Sequence, residues 1–269
     1  MNKRLIRKIE SEELKKIQLE ILCDVATFCE ENGIRYFLAY GTLLGAVRHK
    51  GYIPWDDDID IHIPRADYER FIKLYNKKDD KPFKVITHES DRRYNVPFAK
   101  VQHTGTTLHE FLYKNPGTFG VYIDLFPLDG IKSPIQATIC GQCIRFMYVK
   151  SSRFFKGQNI MRKLRLIVTK TILLPFSRHF ILKAMQRIAT YCNYDECEKV
   201  CSFGSRTCAR EILPRDTFDS YIMLPFEGGN YRVPKNYDAY LRAKYGDYMT
   251  LPPEEQRIST HDSQAYWLG

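Results

Sequence analysis

No run of 18 apolar residues occurs in this chain, and a conventional membrane-spanning helix needs about 20. Basic residues open the sequence at Lys3, Arg4 and Arg7. Glu10, Glu12 and Glu13 then follow where a secretory signal would carry its apolar stretch, so the expected setting is cytosolic. Internal repeats and low-complexity tracts are absent, which argues against solenoids and linker-type chains. Side-by-side Cys-x(2–4)-Cys knuckles are missing as well. Of the eight cysteines, Cys192, Cys197, Cys201 and Cys208 are separated by four, three and six residues, and Cys140 with Cys143 has no second pair beside it. Buried reduced thiols are therefore expected, rather than structural zinc or a disulfide framework.

Acids are lacking from one long interval. Between Gly130 and Tyr194 stand twelve Lys and Arg and no Asp or Glu; with a net charge of +9 overall, the rest of the chain carries 9 − 12 = −3. A polyanionic partner is thus expected at that segment. Regularly interleaved stacking aromatics are absent from it, as is any recognised nucleic-acid module, so a nucleic-acid partner is not expected.

What is present suits a folded globular chain: 44% hydrophobic and 27% charged residues over 269 positions can bury a sizeable core. Ile17, Ile21, Leu22, Val25, Phe28 and Cys29 recur at helical spacing and predict a helix from about Glu12 to Asn32. Arg35–Tyr40 reads as a strand, Leu43–His49 as a short helix, Ile59–Ile63 as a strand with one buried face, and Asp67–Asn76 as a helix. Strand candidates follow at Phe83–Thr87, Phe98–Gln102 and Gly120–Phe126. The order predicts an α/β or α+β domain with a central mixed sheet over residues 1–130. A basic helical segment (131–209) comes next, then a C-terminal region (210–269) with short strands, a helix at Asp238–Tyr245, and packing back onto the core.

The chemistry-bearing stretch is Gly41-Thr42 through Arg48-His49, followed by Pro54-Trp55-Asp56-Asp57-Asp58-Ile59-Asp60. Four acids in five positions repel one another unless a cation joins them. Strand alternation puts Asp58, Asp60 and His62 on one face and the isoleucines on the other. A second alternating segment, Val121-Tyr122-Ile123-Asp124-Leu125, supplies Asp124, which completes a three-carboxylate site if the two strands are neighbours. Magnesium suits such a set, since it takes a few carboxylates together with water and phosphate. A strand ending at Gly41 and turning into a helix offers free N–H groups to an anion, with the Thr42 hydroxyl as a further donor. His62 reads as a partner of the acids or, preferably, as a solvated neighbour.

These segments resemble the core motif of the LicD family. So do Pro64-Arg65-x-Asp67-Tyr68-x-x-Phe71, Ile123-Asp124-Leu125-Phe126-Pro127-Leu128-Asp129, and the distal Tyr245-Gly246-Asp247-Tyr248-Met249-x-Leu251-Pro252-Pro253-Glu254-Glu255. Fukutin and fukutin-related protein are more distant members, and the group resembles the DNA polymerase beta-like nucleotidyltransferases. The resemblance implies an α+β nucleotidyltransferase-like fold with Gly41-Thr42 at the phosphate, Asp58, Asp60 and Asp124 as catalytic metal-binding acids, and Asp56 touching metal or its waters. One or two Mg²⁺ ions are implied.

The implied reaction moves phosphocholine from CDP-choline to a hydroxyl of a cell-surface glycan precursor, of teichoic acid or lipopolysaccharide type, and releases CMP. Transfer of another phospho-alcohol, such as ribitol phosphate, from its CDP-activated donor is the alternative, and the basic overall charge makes an RNA nucleotidyltransferase a remoter reading. Arg48 and Lys100 are candidates to clamp phosphate; Trp55, Tyr52 and Tyr122 are candidates to hold a quaternary ammonium. A lipid-linked acceptor gives the basic segment a role as an interfacial surface on an anionic membrane. Arg162-Lys163-Leu164-Arg165-Leu166-Ile167-Val168 and Leu173-Leu174-Pro175-Phe176 mix cations with bulky apolar residues in the manner of such a surface.

Overall fold

An apolar stripe on the first long helix forms one wall of the core. The computed structural model describes residues 5–77, 81–110, 119–151, 160–172, 174–205, 208–258 and 263–269. Of the basic segment, Arg153, Lys156 and Leu173 lie outside the described residues, as do the side chains of Arg162, Lys163, Arg165 and Leu166; so do Lys3 and Arg4 at the start. The chain begins with β1 (Leu5–Ile9), α1 (Ser11–Glu31), β2 (Phe37–Leu38), α2 (Tyr40–His49), β3 (Asp60–Pro64) and α3 (Arg65–Tyr75). Four strands follow: β4 (Phe83–Ile86), β5 (Ala99–His103), β6 (Thr106–Glu110) and β7 (Tyr122–Ile131). After α4 (Pro134–Ser151), α5 (Ile160–Ile172) and α6 (Arg178–Ala189) come β8 (Lys199–Cys201), β9 (Leu213–Pro214), the hairpin β10 (Tyr221–Phe226) and β11 (Gly229–Pro234), α7 (Tyr237–Tyr245) and β12 (Ser263–Leu268).

The architecture is α+β. The central mixed sheet runs β2-β3-β7-β5-β4, with β8 and β9 continuing from the far end of β7. β3 and β7 are parallel, and their other neighbours in the sheet are antiparallel. β12 joins β1 to β6 in a second small sheet. Ile17, Ile21, Leu22, Val25, Phe28 and Cys29 of α1 are all buried, as their spacing predicts, and join Ile59, Ile61, Ile63, Val121, Ile123 and Leu125 in the main core. Full burial of each such side chain contributes about 1.5–3 kcal/mol. A smaller core gathers α4, α6 and the 201–208 stretch around Cys140, Met147, Leu182, Met185, Phe203 and Cys208. No helix among the described residues is long and apolar enough to cross a membrane.

Three expectations need correction. The strand expected at Arg35–Tyr40 contracts to Phe37–Leu38, because Tyr40 takes φ +45° and opens α2 instead. β7 is longer than expected and runs straight through Pro127. The N–H of Asp124 points at β3, so by alternation the position of Pro127 faces the opposite side. There β5 has already ended at Leu125 and β8 begins only at Asp129, so the missing proline donor costs no ladder bond. Lastly, β3 has both faces buried, not one. Tyr40, Phe218 and Tyr240 cover the second face beyond Asp60, and His62 lies beneath them.

Candidate active site

Register brings the acids together. Asp60 pairs with Asp124 across the parallel β3–β7 strands, and Asp124 pairs in turn with Lys100 on β5. Paired residues on adjacent strands share a face, so Asp60, Asp124 and Lys100 form one row across the sheet. Lys100 Nζ donates to Asp124 Oδ1 at 2.6 Å and stands 3.2 Å from the centre of the Tyr122 ring. Asp58 precedes β3 rather than lying on it, yet it is the strongest charge acting on Asp60. Burial raises the Asp60 carboxyl well above the usual carboxylate range; Asp58, Asp124 and Asp56 add to that rise, and Lys100 opposes it.

The start of α2 is tied to this row. Ala39 N–H donates to the Asp60 carbonyl at 2.9 Å, and Asp60 N–H donates to Thr42 Oγ1 at 2.8 Å. Thr42 is therefore buried beneath the acids, its oxygen engaged by the strand rather than presented at the surface of the site. Gly41, in the first helical turn, faces Asp56: a Cβ there would fall 2.3 Å from Asp56 Oδ2. A carboxylate at a helix N-terminus occupies the position where the helix favours an anion. Tyr40, in the left-handed region, is held by two hydrogen bonds: its N–H donates to the Tyr240 hydroxyl at 3.2 Å, and its own hydroxyl donates to Glu211 Oε2 at 2.9 Å. Such a backbone conformation costs about 1–3 kcal/mol unless its surroundings enforce it.

These groups line a cavity of about 970 Å³. Gly41, Arg48, Trp55, Asp56, Asp58, Asp60, Lys100 and Asp124 all border it, whereas Thr42 does not. Arg48 is anchored, donating from Nη1 to the Tyr248 carbonyl at 2.8 Å. The Trp55 ring lies 5.7 Å from the Arg257 guanidinium. Tyr122 also borders the cavity. Tyr52 does not; its hydroxyl donates to Gln18 Oε1 at 3.0 Å. His62 is neither solvated nor bonded to an acid. It is 2% exposed, edge-on to Tyr40 at 4.8 Å, with no hydrogen-bond partner for either ring nitrogen among the described residues, and burial pushes its pKa down to about 3.

Sequence reasoning missed four residues here. Gln18 of α1 donates to the Asp57 carbonyl at 2.9 Å and to the Tyr122 carbonyl at 3.3 Å, linking the acidic loop to β7. A glutamine inside the apolar stripe of α1 was the available signal. Tyr245 borders the cavity; the residue as a whole is 40% exposed, but desolvation at its hydroxyl and the fields of Asp60 and Asp56 push that group's pKa up. Glu211 and Lys244 are ion-paired, and Lys244 sits 4.6 Å over the Tyr40 ring. Nothing in the local sequence singles out those two.

The acids form a partial donor set: among the described residues, no group of three or more His, Cys, Asp or Glu side chains converges to hold an ion by itself. Two hard carboxylates completed by water and phosphate oxygens nevertheless meet the coordination habit of Mg²⁺. The excess of negative charge around buried Asp60 is what a divalent cation would relieve.

Comparison with known proteins places this geometry. The family described as "LicD/FKTN/FKRP, nucleotidyltransferase domain" matches residues 33–132, the stretch holding α2, the acids and most of the sheet. The lipopolysaccharide cholinephosphotransferase LicD of Haemophilus influenzae is 30% identical over 98% of this chain and 100% of its own length. This chain belongs to the LicD family. The LicD-type chain is accordingly a phosphotransferase. Human ribitol 5-phosphate transferase FKRP is 56% identical over a shorter stretch, 32% of this chain and 18% of that protein.

Proposed function

We propose that this LicD-type enzyme transfers phosphocholine from CDP-choline to a hydroxyl of a cell-surface glycan precursor, of teichoic acid or lipopolysaccharide type, with release of CMP. The observation that carries the reading is the Asp60–Asp124 pair facing a large cavity beside the N-terminus of α2. Asp60 and Asp124, completed by water and phosphate oxygens and with Asp58 and Asp56 beside them, would hold Mg²⁺, which would offset charge on the donor diphosphate. The amides at the start of α2 receive phosphate oxygens, and Gly41 lets them approach closely. Arg48 and Lys100 border the same space and supply positive charge. An acid of the cluster accepts the proton of the attacking hydroxyl. Support for choline comes from the H. influenzae relative and from the aromatic wall of Trp55, Tyr122 and Tyr245. The Trp55 ring already faces a guanidinium, as it would a trimethylammonium. Support for a nucleotidyltransferase-like core comes from the family description that matches residues 33–132.

The match to the human ribitol 5-phosphate transferase favours ribitol phosphate as the second reading. One assay separates the two. The enzyme with Mg²⁺ is given CDP-choline, CDP-ribitol or CDP-ethanolamine, with and without cell-envelope glycan, and CMP is measured. Glycan-dependent CMP from CDP-choline alone is expected. Turnover of CDP-ribitol alone transfers the reading to ribitol phosphate, and turnover by Asp58→Asn overturns the assignment of the acids. A lipid-carried acceptor would place the reaction at the inner face of the cell membrane.

A further inference from the structure

Helix α5 turns its apolar stripe outward. Ile160, Leu164, Ile167, Val168 and Ile172 stand at i, i+4, i+7, i+8 and i+12, one side of a helix. An amphipathic helix docked on a core buries that side. Here Leu164 and Ile167 are 50% exposed, Val168 56%, Ile172 65% and Ile160 73%. The surface continues beyond the helix through Leu174, Phe176 and Phe180, all exposed. Contiguous apolar surface of this kind on a folded protein marks a place where something docks.

Charge identifies the occupant. The whole interval from Gly130 to Tyr194 carries twelve cations and no acid; Arg145 of α4, the helix against which α5 packs, is exposed, as are Lys183 and Arg187 of α6, which also packs on α4. Apolar side chains flanked by cations, without any acid, complement a surface that is anionic outside and hydrocarbon beneath. We propose that α5 and the Leu174–Phe180 turn form a docking surface for an anionic lipid bilayer. The same helical unit borders the cavity: Ile144, Met147 and Tyr148 of α4 and Arg178 of α6 are among the residues that line it. A protein seated on lipid through α5 therefore holds one wall of its cavity next to the membrane. The proposal rests on the membrane-side reading of the reaction, but it is measured without substrate.

The test uses the full chain with phosphatidylcholine vesicles, with and without phosphatidylglycerol. Pelleting with the anionic vesicles at least about tenfold stronger than with the neutral ones is expected, weakening as salt rises. An Ile167→Glu/Val168→Glu double variant should lose about tenfold or more of that binding. Both sites are exposed, so its Tm and its CMP release with a water-soluble acceptor should match the parent. No pelleting, equal pelleting with both vesicles, or binding unaffected by the double variant overturns the proposal. So does a parent that elutes as a dimer and a double variant that elutes as a monomer, since a second copy would then cover the stripe. Loss of CMP release in the parent would instead strike at the transferase reading and leave the vesicle result standing.

Discussion

Asp60 and Asp124 stand opposite each other on parallel strands, and only one of them has a lysine: Lys100 donates to Asp124, while Asp60 is buried among like charges. The folded state therefore disfavours ionised Asp60. A carboxyl raised on folding binds protons more tightly in the folded than in the unfolded chain, so it removes stability as pH rises above its unfolded value. Asp60→Asn should raise Tm in metal-free buffer, increasingly so from pH 5 to pH 8, while turnover falls by about 10²–10⁴. Thermal melts across pH beside CMP-release rates check both; an Asn variant less stable than the parent at pH 8 would contradict the electrostatic account.

Lys100 makes the opposite case. Its ammonium is buried against Asp124 and the Tyr122 face, so Lys100→Met leaves a buried carboxylate without that partner. Breaking a buried pair costs about 3–5 kcal/mol, so a fall in Tm of about 10 °C or more is expected without metal. If Asp124 belongs to an ion site, millimolar Mg²⁺ should restore more of the variant's Tm than it adds to the parent's. Equal Mg²⁺ responses would remove Asp124 from the proposed site.

His62 should make stability acid-sensitive. Buried beneath Tyr40, with Glu211 favouring its charged form and Lys244 opposing it, it stays neutral to about pH 3, whereas in the unfolded chain it takes up a proton near its ordinary 6.5. The unfolded state then binds the extra proton, and stability falls as pH drops through 6.5. At pH 5 the loss amounts to about 2 kcal/mol. His62→Leu, which also removes two unpartnered ring nitrogens, should flatten the curve between pH 4 and 7. Denaturant melts of both proteins across that range read the difference directly.

Much of this was legible in the sequence because the relevant patterns are local. The α1 stripe, the isoleucine alternation of β3 and Asp124 among the apolar residues at the start of β7 each declare a face, and Asp60 and Asp124 become a pair once their strands are neighbours. Tertiary cover was not legible. His62 alternates in phase with Asp60 and reads as solvated, because nothing nearby announces that Phe218 and Tyr240, far along the chain, lie over it. The Glu211–Lys244 pair is hidden for the same reason: its members come from separate segments and meet only under Tyr40. The distal Tyr-Gly-Asp-Tyr segment was visible as a motif but not as chemistry, until the fold brought Tyr245 to the cavity.

Two glycines of α2 separate chemistry from packing. A Cβ at Gly45 would strike the Gly51 carbonyl oxygen at 2.4 Å, and backbone there cannot yield without moving the loop that leads to the acids. Gly45→Ala should therefore destabilise by about 1–3 kcal/mol. At Gly41 the atom in the way is Asp56 Oδ2, the mobile end of a side chain, so the fold can accept a methyl there. Alanine also stabilises a helix by up to about 1 kcal/mol over glycine. Gly41→Ala should thus keep or raise Tm, yet lose about tenfold or more in kcat/KM, because the methyl displaces Asp56 and fills the space a phosphate oxygen would approach. Melting both variants and measuring CMP release from each tests the division of roles. A fully active Gly41→Ala enzyme would mean that the start of α2 does not receive the donor phosphate.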